Sequence, residues 1–159
     1  MKFYIYVMAI VGSSYLFAQD LAWNQEIFTF KSANPFSFEQ IIVNLDKQPT
    51  QDVSGILTLP ENFDPSIKYP LIIGVAGSLN WGIHHLEYLK MYQKMGFATF
   101  QLQSFDSRGV KSTVGTQVEV TTAMVVLDSY RALETLSTHP NIDIDRSGIT
   151  GWSLGGGVS

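Results

Sequence analysis

The sequence predicts an α/β fold in which a mostly parallel sheet is covered by helices on both faces. Short apolar runs, of the kind buried on both faces of a parallel sheet, alternate along the chain with segments of helical periodicity. Such alternation implies right-handed crossovers and places ligands at the carboxyl ends of the strands. With 159 residues, 45% of them hydrophobic and 15% charged, the chain is long and apolar enough to form a core.

Residues 1–18 carry the pattern of a secretory signal peptide. Met1 and Lys2 are followed by the uncharged apolar run FYIYVMAIVGSSYLFA, and Ala18 precedes the expected cleavage site. We expect this segment to be removed, which predicts a secreted or periplasmic location and no membrane attachment of the mature domain, residues 19–159. An uncleaved membrane anchor is the alternative, since the run is nearly long enough to span a bilayer.

The first two strands of the mature domain are predicted as an antiparallel pair. Residues 41–45 and 53–59 are rich in β-branched and aliphatic side chains and are separated by the polar stretch DKQPTQD. The second run alternates in a way that suits a strand near the sheet edge. The following stretch PENFDPSIKYP holds three prolines, which predicts a loop.

Strands and helices then alternate to the end of the chain. The apolar runs 71–76, 97–102 and 147–150 are predicted parallel strands. Helical spacing predicts one helix over residues 82–95, which Gly96 caps, and a second over 118–136. The second helix is expected to turn five side chains inward, namely Ala123, Val126, Leu127, Tyr130 and Leu133. The carboxyl ends of the three strands are residues 76–78, 104–109 and 151–155.

Two motifs overlap after the last predicted strand. The stretch GWSLG at residues 151–155 fits the nucleophile elbow G-x-S-x-G, and residues 150–157 fit a dinucleotide-binding loop of the form TGxxxGxG. A dinucleotide loop normally opens the first strand–helix unit of its domain, whereas two such units precede this one. The elbow requires small residues around Ser153, which Gly151 and Gly155 supply. We therefore favour the elbow and keep an NAD(P)-binding oxidoreductase as the alternative.

Three further stretches strengthen this interpretation. YPLIIGVAGS, FATFQLQSFDSRG and VVLDSYRALETLSTHPNIDIDRSGITGWSLGGG resemble the third strand with its oxyanion turn, the fourth strand, and the helix, fifth strand and elbow of the dienelactone hydrolase-like branch of the α/β-hydrolase superfamily. The resemblance implies hydrolysis of a small-molecule ester or lactone without a cofactor. It assigns Ser153 as the nucleophile and the backbone N–H groups of Leu154 and Ser78 as the oxyanion hole. Many relatives have His-Gly where this chain has Ala76-Gly77.

In the α/β-hydrolase fold an acidic residue and a histidine follow the nucleophile to complete a triad. Neither residue type occurs among the six residues after Ser153, so we expect the chain to be the N-terminal part of a longer hydrolase that is inactive by itself. A non-catalytic binding protein of the same fold is a second alternative. His84, His85 and His139 are interpreted as surface or capping residues, since none comes from the element that would carry a triad histidine.

Charge and composition exclude several partner classes. The net charge is −4 and the basic residues do not cluster, so nothing indicates a nucleic-acid or anionic-membrane surface. The chain has no cysteine, and His84 and His85 are adjacent and point apart, so no metal site is predicted. The charged side chains near the predicted site are interpreted as structural ion pairs, in the pairs Asp106–Arg108 and Asp128–Arg131.

Overall fold

A computed structural model describes residue 22 and residues 24–159 of the chain. The predicted signal peptide, residues 1–18, and its cleavage site lie outside the described residues. Within the described part, no helix is long and apolar enough to cross a bilayer.

The described residues form a five-stranded sheet in which antiparallel pairing gives way to parallel pairing. Its strands are β1 (Gln25–Ala33), β2 (Thr50–Thr58), β3 (Tyr69–Val75), β4 (Ala98–Leu102) and β5 (Ile142–Gly151). Their order in the sheet is β1-β2-β4-β3-β5. β2 pairs antiparallel with β1 and β4, whereas β3 lies parallel between β4 and β5. The three predicted parallel strands are therefore confirmed.

Helices cover both faces of the sheet. They are the short α1 (Phe38–Val43), α2 (Ile83–Lys94) and α3 (Thr122–Leu136), with single 3-10 turns at Leu45–Lys47, Asp106–Arg108 and Gly155–Gly157. Gln93 of α2 donates a hydrogen bond to Thr99 at 2.8 Å. Phe100, the next residue of β4, contacts Phe30 of β1. Ser32 lies on the same face of β1 as Phe30 and donates a hydrogen bond to Asp128 of α3. Successive strand residues point to opposite faces, so α2 and α3 lie on opposite sides.

The main core fills the space around the central strands and the inner face of α3. It is built from buried aliphatic and aromatic side chains, including Phe30, Val53, Leu57, Leu71, Ile73, Phe100, Leu102, Val120, Val125, Ala132, Leu136 and Ile142. α3 begins at Thr122, because the Thr121 hydroxyl caps it by accepting from the Met124 N–H at 3.2 Å. Ala123 and Leu127 are buried as predicted, but Tyr130 is 69% exposed. The inward prediction is therefore wrong for Tyr130.

The predicted strand at residues 41–45 is wrong. These residues lie in α1 and the turn after it, because the Ser37 hydroxyl accepts from the Gln40 N–H at 3.4 Å and starts a helix. The strand before β2 in the chain, with which it pairs antiparallel, is β1 rather than residues 41–45. β1 is the edge strand, so β2 lies one strand in from the edge. Phe28 and Phe30 alternate with the polar Thr29 and Lys31, a period-two signal that could have located β1.

Candidate active site

Ser153 lies on a sharp turn directly after β5. Its φ is +54°, in the left-handed region that residues with a side chain rarely occupy. The side chain is exposed, and its hydroxyl has no hydrogen-bond partner among the described residues. A strained backbone that lifts a free serine hydroxyl above the carboxyl edge of the sheet is the geometry of a nucleophile elbow.

Packing explains two of the four glycines around this serine, Gly151 and Gly155. A Cβ atom at Gly151 would overlap the carbonyl group of Gly155, and a Cβ atom at Gly155 would lie 2.6 Å from the carbonyl oxygen of Ala76. These neighbours are backbone atoms and cannot turn aside. A Cβ atom at Gly157 would meet nothing within 4 Å. The turn therefore requires glycine at positions 151 and 155 but not at 157.

The turn after β3 packs against the elbow. The Asn80 N–H donates to the Gly77 carbonyl at 2.9 Å and closes this turn. A Cβ atom at Gly77 would lie 3.4 Å from the Ser153 Cβ, so the two turns are in contact. Neither the Ser78 N–H nor the Leu154 N–H donates to another described residue. The structure thus brings the predicted oxyanion donors and nucleophile together at one edge, while their catalytic roles stay a prediction.

Hydrogen bonds from three segments of the chain hold the turn after β3 in place. Asn80 has a φ of +65°, and its Nδ2 donates to Asp106 Oδ1 at 2.8 Å while its Oδ1 accepts the Trp81 N–H at 2.8 Å. The Ser78 carbonyl accepts the Thr113 N–H at 2.9 Å. Sequence reasoning missed this brace because its members come from three separate segments of the chain.

The two predicted ion pairs are wrong. Arg108 does not bind Asp106; it binds Asp128 with two parallel hydrogen bonds of 2.7 and 3.1 Å. Arg131, the predicted partner of Asp128, instead binds Glu134 at 2.7 Å. The Arg108 and Asp128 side chains are only 5% and 0% exposed. The buried pair therefore ties the loop after β4 to the middle of α3, since the turn of the chain brings Arg108 over α3 and leaves Asp106 beside Asn80.

Among the described residues no histidine makes a hydrogen bond to Ser153, although His84 and His85 line the same cavity. His85 is 5% exposed, and its Nδ1 accepts the Gly82 N–H at 3.0 Å, which caps α2. Burial, and secondarily the neighbouring His84, lower the pKa of His85 below its usual 6.5. His139 lies elsewhere, 3.4 Å from a carboxylate oxygen of Glu26. Among the described residues no group of three possible ligands could hold a metal ion.

A cavity of about 530 Å³ opens beside Ser153. Its walls come from the turn after β3, the start of α2, the loop after β4 and the elbow. The lining residues are Gly77, Ser78, Leu79, Asn80, Gly82, His84, His85, Val114, Gly115, Gln117, Trp152 and Ser153. This volume lies within the range usual for small-molecule sites. The arrangement can place a carbonyl carbon against a serine oxygen and its developing oxyanion against two backbone donors.

Solved structures resemble this chain, although no protein-family model matches the sequence and no curated protein matches it. A protein designated m3DLH aligns with a TM-score of 0.57 at 16% identity, over 85% of this chain and 52% of its own length. A dienelactone hydrolase-like promiscuous phosphotriesterase from metagenomic libraries gives 0.53 at 16%, over 83% and 52%. The Pyrococcus horikoshii acylaminoacyl peptidase gives 0.52 at 18%, over 85% and 20%.

These neighbours show the fold of the chain. The chain has the α/β-hydrolase fold, with a mixed sheet and helices on both faces, and its predicted resemblance to dienelactone hydrolase-like proteins is confirmed at the level of the fold. The chain spans about half the length of the first two matched structures.

Proposed function

We propose that the protein is a serine hydrolase of carboxylic esters in which Ser153 is the nucleophile. The observation that carries this proposal is the positive φ of Ser153 on a turn whose flanking glycines admit no side chain. Strain of this kind has an unfavourable free energy, and it persists where the surrounding packing holds it for function. Here it exposes one hydroxyl beside two unpaired backbone donors.

In the proposed reaction, Ser153 Oγ attacks the ester carbonyl carbon. The tetrahedral oxyanion receives hydrogen bonds from the N–H groups of Leu154 and Ser78, and the alcohol leaves to give an acyl-serine that water hydrolyses. A serine needs a base to accept its proton, and in this fold the base and its carboxylate follow the nucleophile in the chain. We propose that the parent protein supplies both from a part outside these 159 residues, since the chain spans only about half the length of two matched structures. His85 is unsuited, since its Nδ1 accepts the Gly82 N–H and the neutral ring therefore carries its proton on Nε2, which cannot accept another.

The dinucleotide alternative fits the geometry less well. A pyrophosphate loop uses its third glycine for close helix–strand packing, but a side chain at position 157 would meet nothing. The loop also follows the fifth strand of the sheet rather than the first. A binding protein that has lost catalysis shares the fold, and the experiment below distinguishes it.

The test compares the full-length parent protein with its Ser153→Ala variant. We expect a fluorophosphonate probe to label the parent at Ser153, and we expect the variant to lose both labelling and short-chain ester hydrolysis, by about a millionfold in kcat. Ser137→Ala is the matched control, because this exposed serine at the far end of α3 only donates to the Glu134 carbonyl. An unlabelled parent would favour the binding protein, and NAD binding abolished by Gly155→Ala would favour the oxidoreductase.

A further inference from the structure

The largest side chain of the cavity wall belongs to Trp152, which immediately precedes the nucleophile. Its indole stacks on the His85 ring, with centroids 4.6 Å apart and an interplanar angle of 26°. The rings of Trp81 and Tyr88 pack against it at 6.0 and 5.9 Å. His85 is itself held by the Gly82 N–H. The aromatic wall beside Ser153 is therefore fixed by packing before a ligand arrives.

The imidazoles of His84 and His85 are the only titratable side chains among the described residues that line the cavity. These lining residues include no carboxylate, ammonium or guanidinium group, and burial lowers the pKa of His85 and so favours its neutral form. The nearby Asp106 accepts a hydrogen bond from Asn80, and Arg108 is paired with Asp128. An anionic group placed against Trp152, Leu79 and Val114 would lose hydration without gaining a charged partner, which is unfavourable. An apolar group would exchange water for contact with Trp152, Leu79 and Val114.

On the basis of the proposed hydrolase function, we propose that this cavity selects esters that place an uncharged apolar group against Trp152. Esters that place an anionic group there are rejected. The group can belong to the acyl or to the alcohol side of the ester, and substrate pairs can distinguish the two. The selectivity belongs to the wall formed by Trp152, Leu79 and Val114. It is distinct from the chemistry of Ser153.

The experiment measures kcat/KM of the full-length parent protein for two pairs of shape-matched esters. The acyl pair is the para-nitrophenyl monoester of glutarate and its isostere with an isopropyl group in place of the carboxylate. The alcohol pair is para-acetoxybenzoate and para-isopropylphenyl acetate. We expect the isopropyl member of one pair to be favoured by about tenfold or more, and that pair identifies which side of the ester occupies the cavity. Equal rates, or preference for the anion in both pairs, would overturn the proposal.

Two matched valine-to-lysine variants locate the selectivity. Val114 is 60% exposed at the cavity mouth, so Val114→Lys adds a cation without burying it; Val43→Lys makes the same change on α1, where Val43 is 65% exposed. We expect Val114→Lys to narrow the preference of the same pair by about threefold or more, through attraction of the anion. Val43→Lys should leave it unchanged.

A preference that both variants leave intact would place the selectivity outside this cavity and refute the proposal. Fluorophosphonate labelling of Ser153 is measured in parallel. Labelling without the expected preference contradicts only the selectivity, whereas a lack of labelling contradicts the proposed hydrolase itself.

Discussion

Replacing Asp128 by alanine should be among the most destabilising single changes in the chain. The Arg108 guanidinium makes hydrogen bonds through all three of its nitrogens, and two of its contacts go to the Asp128 carboxylate at 2.7 and 3.1 Å. Its other acceptors are Asn34 Oδ1 and the carbonyl oxygens of Ala33 and Ser104. Asp128 Oδ1 also accepts the Ser32 hydroxyl at 2.6 Å. Asp128→Ala leaves the guanidinium in place without its counter-charge.

The expected magnitude follows from burial. Arg108 and Asp128 are 5% and 0% exposed, so water cannot replace the lost carboxylate, and removal of one partner of a buried pair is worth about 3–5 kcal/mol of unfolding free energy. The pair Arg131–Glu134 lies on the same helix with side chains 40% and 69% exposed. Glu134→Ala should therefore lower the unfolding free energy by at most about 1 kcal/mol.

Urea unfolding of the full-length protein, followed by tryptophan fluorescence, measures both values. A double variant, Arg108→Met with Asp128→Leu, should recover most of the loss, because well-packed apolar side chains remove the uncompensated charge. If Asp128→Ala were no more destabilising than Glu134→Ala, the pair would not be buried as described. A double variant as unstable as Asp128→Ala would show that the loss came from packing rather than charge.

Two further predictions test the elbow and the aromatic wall. Gly155→Ala should destabilise the protein by about 1–3 kcal/mol and abolish ester hydrolysis, because the new Cβ atom would overlap backbone atoms. Gly157→Ala is the control and should change the unfolding free energy by less than about 0.5 kcal/mol, because its Cβ atom would meet nothing. Equal effects of the two variants in urea unfolding and in ester assays would contradict the packing. His85 has a pKa lowered from its usual 6.5, so the unfolded chain binds a proton more readily, and stability is lost as the pH falls below about 6.5. In His85→Gln the amide oxygen can still accept the Gly82 N–H, so this variant should lose less unfolding free energy than the wild type between about pH 7.5 and 5.5. If the unfolding free energy of the variant depended on pH as steeply as that of the wild type, His85 would not be the group that titrates.

The central strands and the helix after β3 could be predicted because their signals are local. β3 is a continuous apolar run, as expected of a strand covered on both faces, and five of its seven residues are buried. α2 ends where Gly96 adopts a φ of +89°, as expected of a glycine cap. The sequence did not predict β1, because only Phe28 and Phe30 stand out among its polar residues and the alternation they form is weak. α1 misled because Ile42 and Val43 suggest a strand, although both side chains are exposed there and the Ser37 cap starts a helix instead.

The candidate site divides in the same way between local and distant causes. The steric demand at Gly151 comes from the backbone of Gly155, four residues away, and the motif predicts this turn, on which Ser153 is strained. The demand at Gly155 comes from the carbonyl oxygens of Val75 and Ala76, which only the fold brings there. Arg108 is paired with Asp128 of α3, which is twenty residues away in the sequence. This partner depends on how α3 packs against the loop after β4, so the sequence alone did not predict it. Trp152 shows both causes in a single residue. Its position beside the proposed nucleophile is evident from the motif. The His85 ring that fixes its orientation belongs to α2, so the proposed selectivity of the cavity could be inferred only from the fold.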